Sequence, residues 1–219
     1  MLRFDAVLFD FDGTFADTAE GIVASANYAL RTLGYPEHTT ESWRPCLGPS
    51  LEFAFHTFVG MPLEQAHEAI RLYRSVYGAG NHLLLSVFPG MDTLLLRMNE
   101  CGIKAGIATT KPTKYAAEIL EKLGYLKYFT AVCGTELNRH NSDKSDLVRA
   151  ALAVCGTAPN RTLMVGDRKY DILGAKMNEC RSCGVLYGFG SEAELREAGA
   201  DCIVSDVAEL MELILGANR

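Results

Sequence analysis

Phe4-Asp5-Ala6-Val7-Leu8-Phe9-Asp10-Phe11-Asp12-Gly13-Thr14 is the stretch that decides the fold of this chain. Ala6 to Phe9 is an apolar run without alternation, the pattern of a strand buried on both faces of a parallel sheet. It breaks off into two carboxylates, a glycine and a threonine. Parallel sheets bind ligands where their strands deliver carboxyl ends, so an acidic burst at that point marks a candidate site. Alternation along an extended chain puts Asp10 and Asp12 on one side, with Phe11 turned away. Carboxylates so close repel each other, and a buried pair needs a proton or a cation to persist. Gly13 lets the chain turn tightly and present backbone N–H groups to an anion.

Outward from this strand the chain changes character twice. Residues 18–33 place Ile22, Ala26, Leu30 and Leu33 at helical spacing, and Gly34-Tyr35-Pro36 ends that helix. A polar stretch from Glu37 to Arg44 leads to Leu47-Gly48-Pro49-Ser50. Leu51, Ala54, Phe55 and Phe58 then predict a short helix, and Leu63, Ala66, Ile70, Tyr73 and Tyr77 a longer one closed by Gly78-Ala79-Gly80. No strand is expected between residues 18 and 84. From Pro89 helices and strands alternate. Helices are expected at about 90–101, 113–123 and 145–155, with strands at Ile103–Thr109, Phe129–Cys133 and Thr162–Val165. Further units run through Ile172, Ser182–Leu186, Glu192–Ala198, Cys202–Val204 and Val207–Leu215. Such alternation predicts a parallel α/β sheet with right-handed crossovers, residues 1–16 plus 86–219, carrying a helical insert at 17–85.

Composition limits the partners. At 219 residues and 48% hydrophobic the chain can bury a sizeable core, and a net charge of −6 offers no basic footprint for nucleic acid. Seven cysteines, an odd number scattered among apolar residues, fit reduced thiols in a cytoplasmic protein. Cys180 and Cys183 form a C-x-x-C without the second pair a zinc site needs. Asp5, Asp10 and Asp12 interrupt any signal-peptide core, and no run approaches the roughly 20 apolar residues that span a bilayer.

Polar residues also follow the later strands. Ile107-Ala108 leads to Thr109, Thr110 and Lys111; Met164-Val165 leads to Gly166-Asp167 and then Asp171. Lys144 follows Arg139-His140-Asn141-Ser142-Asp143 at a helix start. With parallel strands, Asp10, Asp12, Asp167 and Asp171 arrive at one sheet edge, four carboxylates with few fixed cations. Mg²⁺, a hard ion favouring oxygen ligands, is the simplest remedy. Thr109 supplies a hydroxyl and Lys144 a point charge, both suited to phosphate oxygens. Singly, Thr109 also reads as a strand-end residue, Lys144 as a solvated helix residue, and Asp171 as an acid favoured by the helix dipole.

The ordered set Asp10-Phe11-Asp12-Gly13-Thr14, Thr109, Lys144 and Gly166-Asp167-Arg168-Lys169-Tyr170-Asp171 resembles the four motifs of the haloacid dehalogenase superfamily. The helical insert is similar to the cap of its phosphoglycolate-phosphatase-like branch. The resemblance implies a Rossmann-like, doubly wound parallel sheet with an inserted α-helical cap. It implies Asp10 as nucleophile, Asp12 as general acid/base, and Thr109 and Lys144 holding the phosphoryl group. Asp10, the Asp12 backbone carbonyl, Asp167 and Asp171 would hold Mg²⁺. Gly13, Thr14, Thr110 and Arg44 are expected at the substrate. One departure is that Ser145 follows Lys144, where many relatives carry proline.

The expected activity is Mg²⁺-dependent hydrolysis of a small phosphorylated metabolite of the phosphoglycolate type, by a monomer or weak homodimer. A 5′-nucleotidase or pyrophosphatase, a sugar-phosphate mutase and a non-catalytic regulator are the competing readings. Asp12 argues against metal-free dehalogenation, and the absence of any lysine before Lys104 argues against phosphonate hydrolysis through a cap Schiff base. Arg44, just before Leu47-Gly48-Pro49, offers a planar fork for a substrate carboxylate.

Overall fold

The computed structural model describes residues 4–137 and 143–216, and the chain divides into two compact units, residues 1–16 with 87–219 and residues 17–86. In chain order β1 (Ala6–Phe9) and β2 (Ala16–Asp17) lead into α1 (Ala19–Thr32), α2 (Thr40–Trp43) and α3 (Leu63–Ala79). The return runs through β3 (Ser86–Val87), α4 (Met91–Glu100), β4 (Lys104–Pro112), α5 (Thr113–Lys122) and β5 (Phe129–Thr135). Then come α6 (Lys144–Cys155), β6 (Thr162–Gly166), α7 (Lys169–Met177), β7 (Arg181–Val185), α8 (Glu192–Ala198), β8 (Cys202–Val204) and α9 (Val207–Leu215).

The larger unit is built on a six-stranded parallel sheet in the order β5-β4-β1-β6-β7-β8. Every residue of β1 is fully buried, as its unbroken apolar run requires. Ala6 pairs with Lys104 on one side and Thr162 on the other, so β1 is central although its partners lie far along the chain. Ala6, Leu8, Ala108 and Met164 pack against Val148, Ala151 and Leu152 of α6 and Ala175 of α7. Helices α6, α7 and α8 lie in a row on that face, and α4 packs on α9; right-handed crossovers put that pair on the other face. The chain winds outward from β1 to β5, then resumes beside β1 with β6. At such a reversal the carboxyl ends of neighbouring strands diverge and open a crevice, here between β1 and β6.

Two elements differ from expectation. β4 runs on to Pro112 rather than stopping at Thr109, because pairing with β5 resumes at Pro112 and Thr135 after an irregular register. That extension carries Thr110 and Lys111, so Thr109, Thr110 and Lys111 are alternating strand residues. In the smaller unit, the predicted helix over Leu51–Phe58 takes π geometry across Phe53–Phe58, where Val59 N–H donates to Ala54 O over 3.1 Å. This unit is organised by α1 on α3, with Ile22, Ala26 and Leu30 buried on one helix and Ala66, Ile70 and Tyr73 on the other. Trp43 is buried against Phe55 and Phe58.

Candidate active site

The site grows from the end of β1. Asp10 N–H donates to Val165 O at 2.9 Å, extending the β1–β6 pairing one residue, and thereby fixes where the Asp10 carboxylate emerges. That carboxylate accepts from Phe11 N–H at 2.7 Å and lies 2.9 Å from Lys144 Nζ. Lys144 opens α6, whose start is capped by Asp143 accepting from Ser145 N–H. Its ammonium also lies 2.7 Å from Asp171 Oδ1 and donates to Ala108 O at 3.1 Å. The Lys144 stem passes over Gly174 of α7, where a Cβ would stand 2.9 Å from Lys144 Cγ. Asp171, in the first turn of α7, accepts from Arg168 N–H through Oδ2 at 3.0 Å. Its other oxygen touches Lys144 but forms no aligned hydrogen bond, so it is a buried acceptor with capacity left over.

Asp167 follows β6 and is fully buried. Thr14 Oγ1 donates to Asp167 Oδ1 at 3.1 Å and Phe189 N–H to Oδ2 at 2.8 Å. Gly13, at φ +82°, leaves the space this carboxylate occupies, since a Cβ there would overlap Asp167 Oδ2. Asp10, Asp167 and Asp171 each offer one oxygen within 4.8 Å of the others.

The electrostatics follow from that crowding. Burial first, then Asp171 and Asp10, push the Asp167 carboxyl up to about 8. Burial also pushes Asp171 up, to about 6, held back by the neighbouring Lys144 and aided by Asp10. Burial alone would lower Lys144, but Asp10 and Asp171 outweigh it and its pKa is raised. Ionising all three carboxylates against one ammonium would leave an excess of two negative charges in a buried space, which is why Asp167 and Asp171 hold their protons so tightly. A small divalent cation with a preference for oxygen matches both the charge and the donor set, so the residues present fit Mg²⁺.

These features meet in one family. A model of the haloacid dehalogenase-like hydrolases matches residues 7–185. The chain belongs to the haloacid dehalogenase-like hydrolases. A 5′-nucleotidase of Pseudomonas aeruginosa is 36% identical to it over 213 residues, spanning 97% of this chain and 96% of that protein. A phosphoglycolate phosphatase of Vibrio cholerae is 27% identical over 217 residues, spanning 95% and 96%. The crystal structure of a predicted phosphatase from Clostridium acetobutylicum superposes with a TM-score of 0.90 at 37% identity, covering 96% of this chain and 98% of that one.

The other expected residues of this hydrolase fall in different places. Asp12 does not join the carboxylate cluster. Its Oδ1 accepts from Lys111 Nζ at 2.8 Å, and that ammonium also lies 5.3 Å above the Phe11 ring. The expectation of four carboxylates with few fixed cations is therefore corrected to three carboxylates, with Lys144 and Lys111 both buried beside acids. Thr109 is buried and its hydroxyl accepts from Lys111 N–H at 3.2 Å. Thr110 is exposed between buried Thr109 and Lys111, so strand alternation turns its side chain the other way. The Thr14 hydroxyl is engaged by Asp167. Arg44 is exposed at the start of the turn Arg44–Cys46 in the smaller unit. Arg139 to Ser142, which precede Lys144, lie outside the described residues. Among the described residues, no helix is long and apolar enough to cross a membrane.

Sequence reasoning brought Lys111 to this edge without giving it a role, and it passed over the Phe189 N–H. For Lys111 a signal existed: a cation two residues past a strand-end threonine shares its side of the strand. Phe189 contributes only backbone, and its trace is the pair Gly188 and Gly190 around it.

Proposed function

We propose that this hydrolase is a Mg²⁺-dependent phosphomonoesterase that works through an aspartyl-phosphate on Asp10. The observation that carries the reading is the Asp10 carboxylate, delivered by the central strand to the crevice and held 2.9 Å from buried Lys144 within the three-acid cluster. Asp10, Asp167 and Asp171, with the Asp12 backbone carbonyl, would hold the cation. When bound, it supplies charge neutralisation for phosphoryl oxygens approaching the acids. An Asp10 oxygen forms a bond to phosphorus as the ester oxygen departs, and Asp12 gives that oxygen a proton. Asp12 then takes a proton from water, whose oxygen attacks phosphorus, releasing inorganic phosphate and restoring the Asp10 carboxylate. Lys144 orients Asp10 and adds positive charge beside the transferring oxygens, with Thr109 as a further phosphate donor. Lys111 holds the Asp12 carboxylate in place between the two proton transfers.

The substrate reading is a small phosphomonoester. The full-length similarity to a 5′-nucleotidase at 36% identity favours a nucleoside 5′-monophosphate. Similarity to a phosphoglycolate phosphatase supports phosphoglycolate as the second candidate. We assign the choice between them to residues 17–86, the unit that carries Arg44. The test is phosphate release from both substrates, sugar phosphates and pyrophosphate, with and without Mg²⁺. Asp10→Asn keeps the shape and removes the anion, so turnover should fall by orders of magnitude while the fold survives. Phosphate release by Asp10→Asn near the wild-type rate would overturn the mechanism.

A further inference from the structure

The turn between β7 and α8, Leu186-Tyr187-Gly188-Phe189-Gly190, has no part in the mechanism above, yet it is packed tightly onto Asp167. Phe189 N–H donates to Asp167 Oδ2 at 2.8 Å. A Cβ on Gly188 would overlap Gly13 O and Asp167 Cβ, and one on Gly190 would overlap the Asp167 carbonyl oxygen. Neither glycine has a positive φ; each is needed for close approach alone. Tyr187 donates its hydroxyl to Thr14 O at 3.3 Å, and its ring packs at a tilt against Phe88, with 4.7 Å between centroids. The base of the turn is pinned as well. Leu186 N–H donates to Val204 O, while Glu194 of α8 accepts from Arg168 Nε and Lys169 N–H.

Together these contacts fix the Asp167 rotamer from two directions. One oxygen is held by Thr14 and the other by Phe189, and each keeps a lone pair. We infer that the turn Tyr187–Gly190 is a positioning element for Asp167, which fixes the direction in which that carboxylate meets a divalent cation and so sets the affinity for it. Outer contacts of this kind orient metal ligands, and losing one typically costs about 10- to 100-fold in metal affinity. The inference rests on the reading of Asp167 as a Mg²⁺ ligand, and the experiment separates the two.

Mg²⁺ binding to the purified full chain is measured by titration calorimetry for the wild type, Asp167→Asn and Gly188→Ala. Circular dichroism checks that each variant is folded. In Gly188→Ala the new methyl displaces the turn or Asp167. Its Kd for Mg²⁺ should therefore rise about 10- to 100-fold, with activity recovered at high Mg²⁺ and KM for the phosphoester unchanged there. A merely structural defect would not be rescued by Mg²⁺ in this way. If Asp167→Asn weakens Mg²⁺ binding and Gly188→Ala binds like the wild type, the positioning role is overturned and the metal reading stands. If Asp167→Asn binds Mg²⁺ like the wild type, the metal reading fails and the inference with it. Should Gly188→Ala not fold, Tyr187→Phe decides, since it removes only the hydroxyl that ties the turn to Thr14. Weaker Mg²⁺ binding there supports the role, and unchanged binding overturns it.

Discussion

Lys144→Met is the perturbation that most directly probes the electrostatics of the crevice. Methionine nearly keeps the length of the stem but removes a charge lying 2.9 Å from Asp10 and 2.7 Å from Asp171, in a residue only 5% exposed. Breaking a buried ion pair by removing one partner costs about 3–5 kcal/mol, because a charge is left without compensation. Here two acids lose one cation, so the upper half of that range is expected for metal-free protein at pH 8. At this chain length it corresponds to a fall in melting temperature on the order of 10 °C. The sign of the pH dependence is fixed by Asp171. Its folded-state pKa, about 6, is already raised by burial and is held down by Lys144. Without Lys144 it rises further, and the folded state holds the proton more tightly than the unfolded one. The deficit is therefore largest above the folded-state pKa and shrinks as pH falls below it. Urea unfolding in chelator at pH 8 and pH 5, followed by far-UV circular dichroism, measures both arms. Fluorescence would mislead, since Trp43, the single tryptophan, lies in the smaller unit. A deficit below about 1 kcal/mol at pH 8, or the same deficit at both pH values, refutes the argument.

Asp167, pushed up to about 8 chiefly by burial, binds its proton more tightly in the folded state than in the unfolded one. It should therefore make metal-free stability decline from about pH 4 to pH 8. Asp167→Asn should flatten the decline above about pH 6, leaving below it the share of Asp171, and saturating Mg²⁺ should flatten it; a decline of equal slope in all three samples would contradict this. Lys111→Met takes the 2.8 Å donor from Asp12. kcat/KM, which reports only as far as phosphoenzyme formation, should fall by about 10²-fold on an alkyl phosphate, the low end of general acid–base catalysis. It should fall much less on p-nitrophenyl phosphate, whose leaving group needs no proton, and equal losses would detach Lys111 from Asp12. Arg44→Ala should cost about 2–4 kcal/mol in kcat/KM on phosphoglycolate if its guanidinium grips the carboxylate. An aryl phosphate without that carboxylate should be turned over as before, and no loss on either substrate leaves Arg44 a surface residue.

Much of the larger unit was legible because its residues announce themselves by position. Asp10 ends an apolar run, Asp167 ends another, and Lys144 and Asp171 open helices; the parallel sheet gathers all four at one edge. Asp12 escaped because the period-two argument assumes an extended chain beyond Asp10. The chain instead turns at Gly13, and Asp12 meets Lys111. Thr110 was grouped with Thr109 by adjacency, although neighbours on a strand face opposite ways. The Phe189 N–H was invisible for a deeper reason: a backbone donor has no letter in the sequence, and only its flanking glycines hint at a close approach.

The central place of β1 also bears on synthesis. Val7 needs Ala105 and Leu163 as neighbours, so β1 leaves the ribosome long before either of its partner strands. At about 5–20 residues per second, Ala6 to Phe9 wait roughly 8–30 s before β6 has been made. The smaller unit has no such delay, for its last residue is Ser86 and its helices pack on one another. The insert is thus expected to fold before its host, as a protease-resistant fragment of stalled nascent chains released before Gly166. Finding residues 17–86 as labile as the rest in such chains would reverse that order.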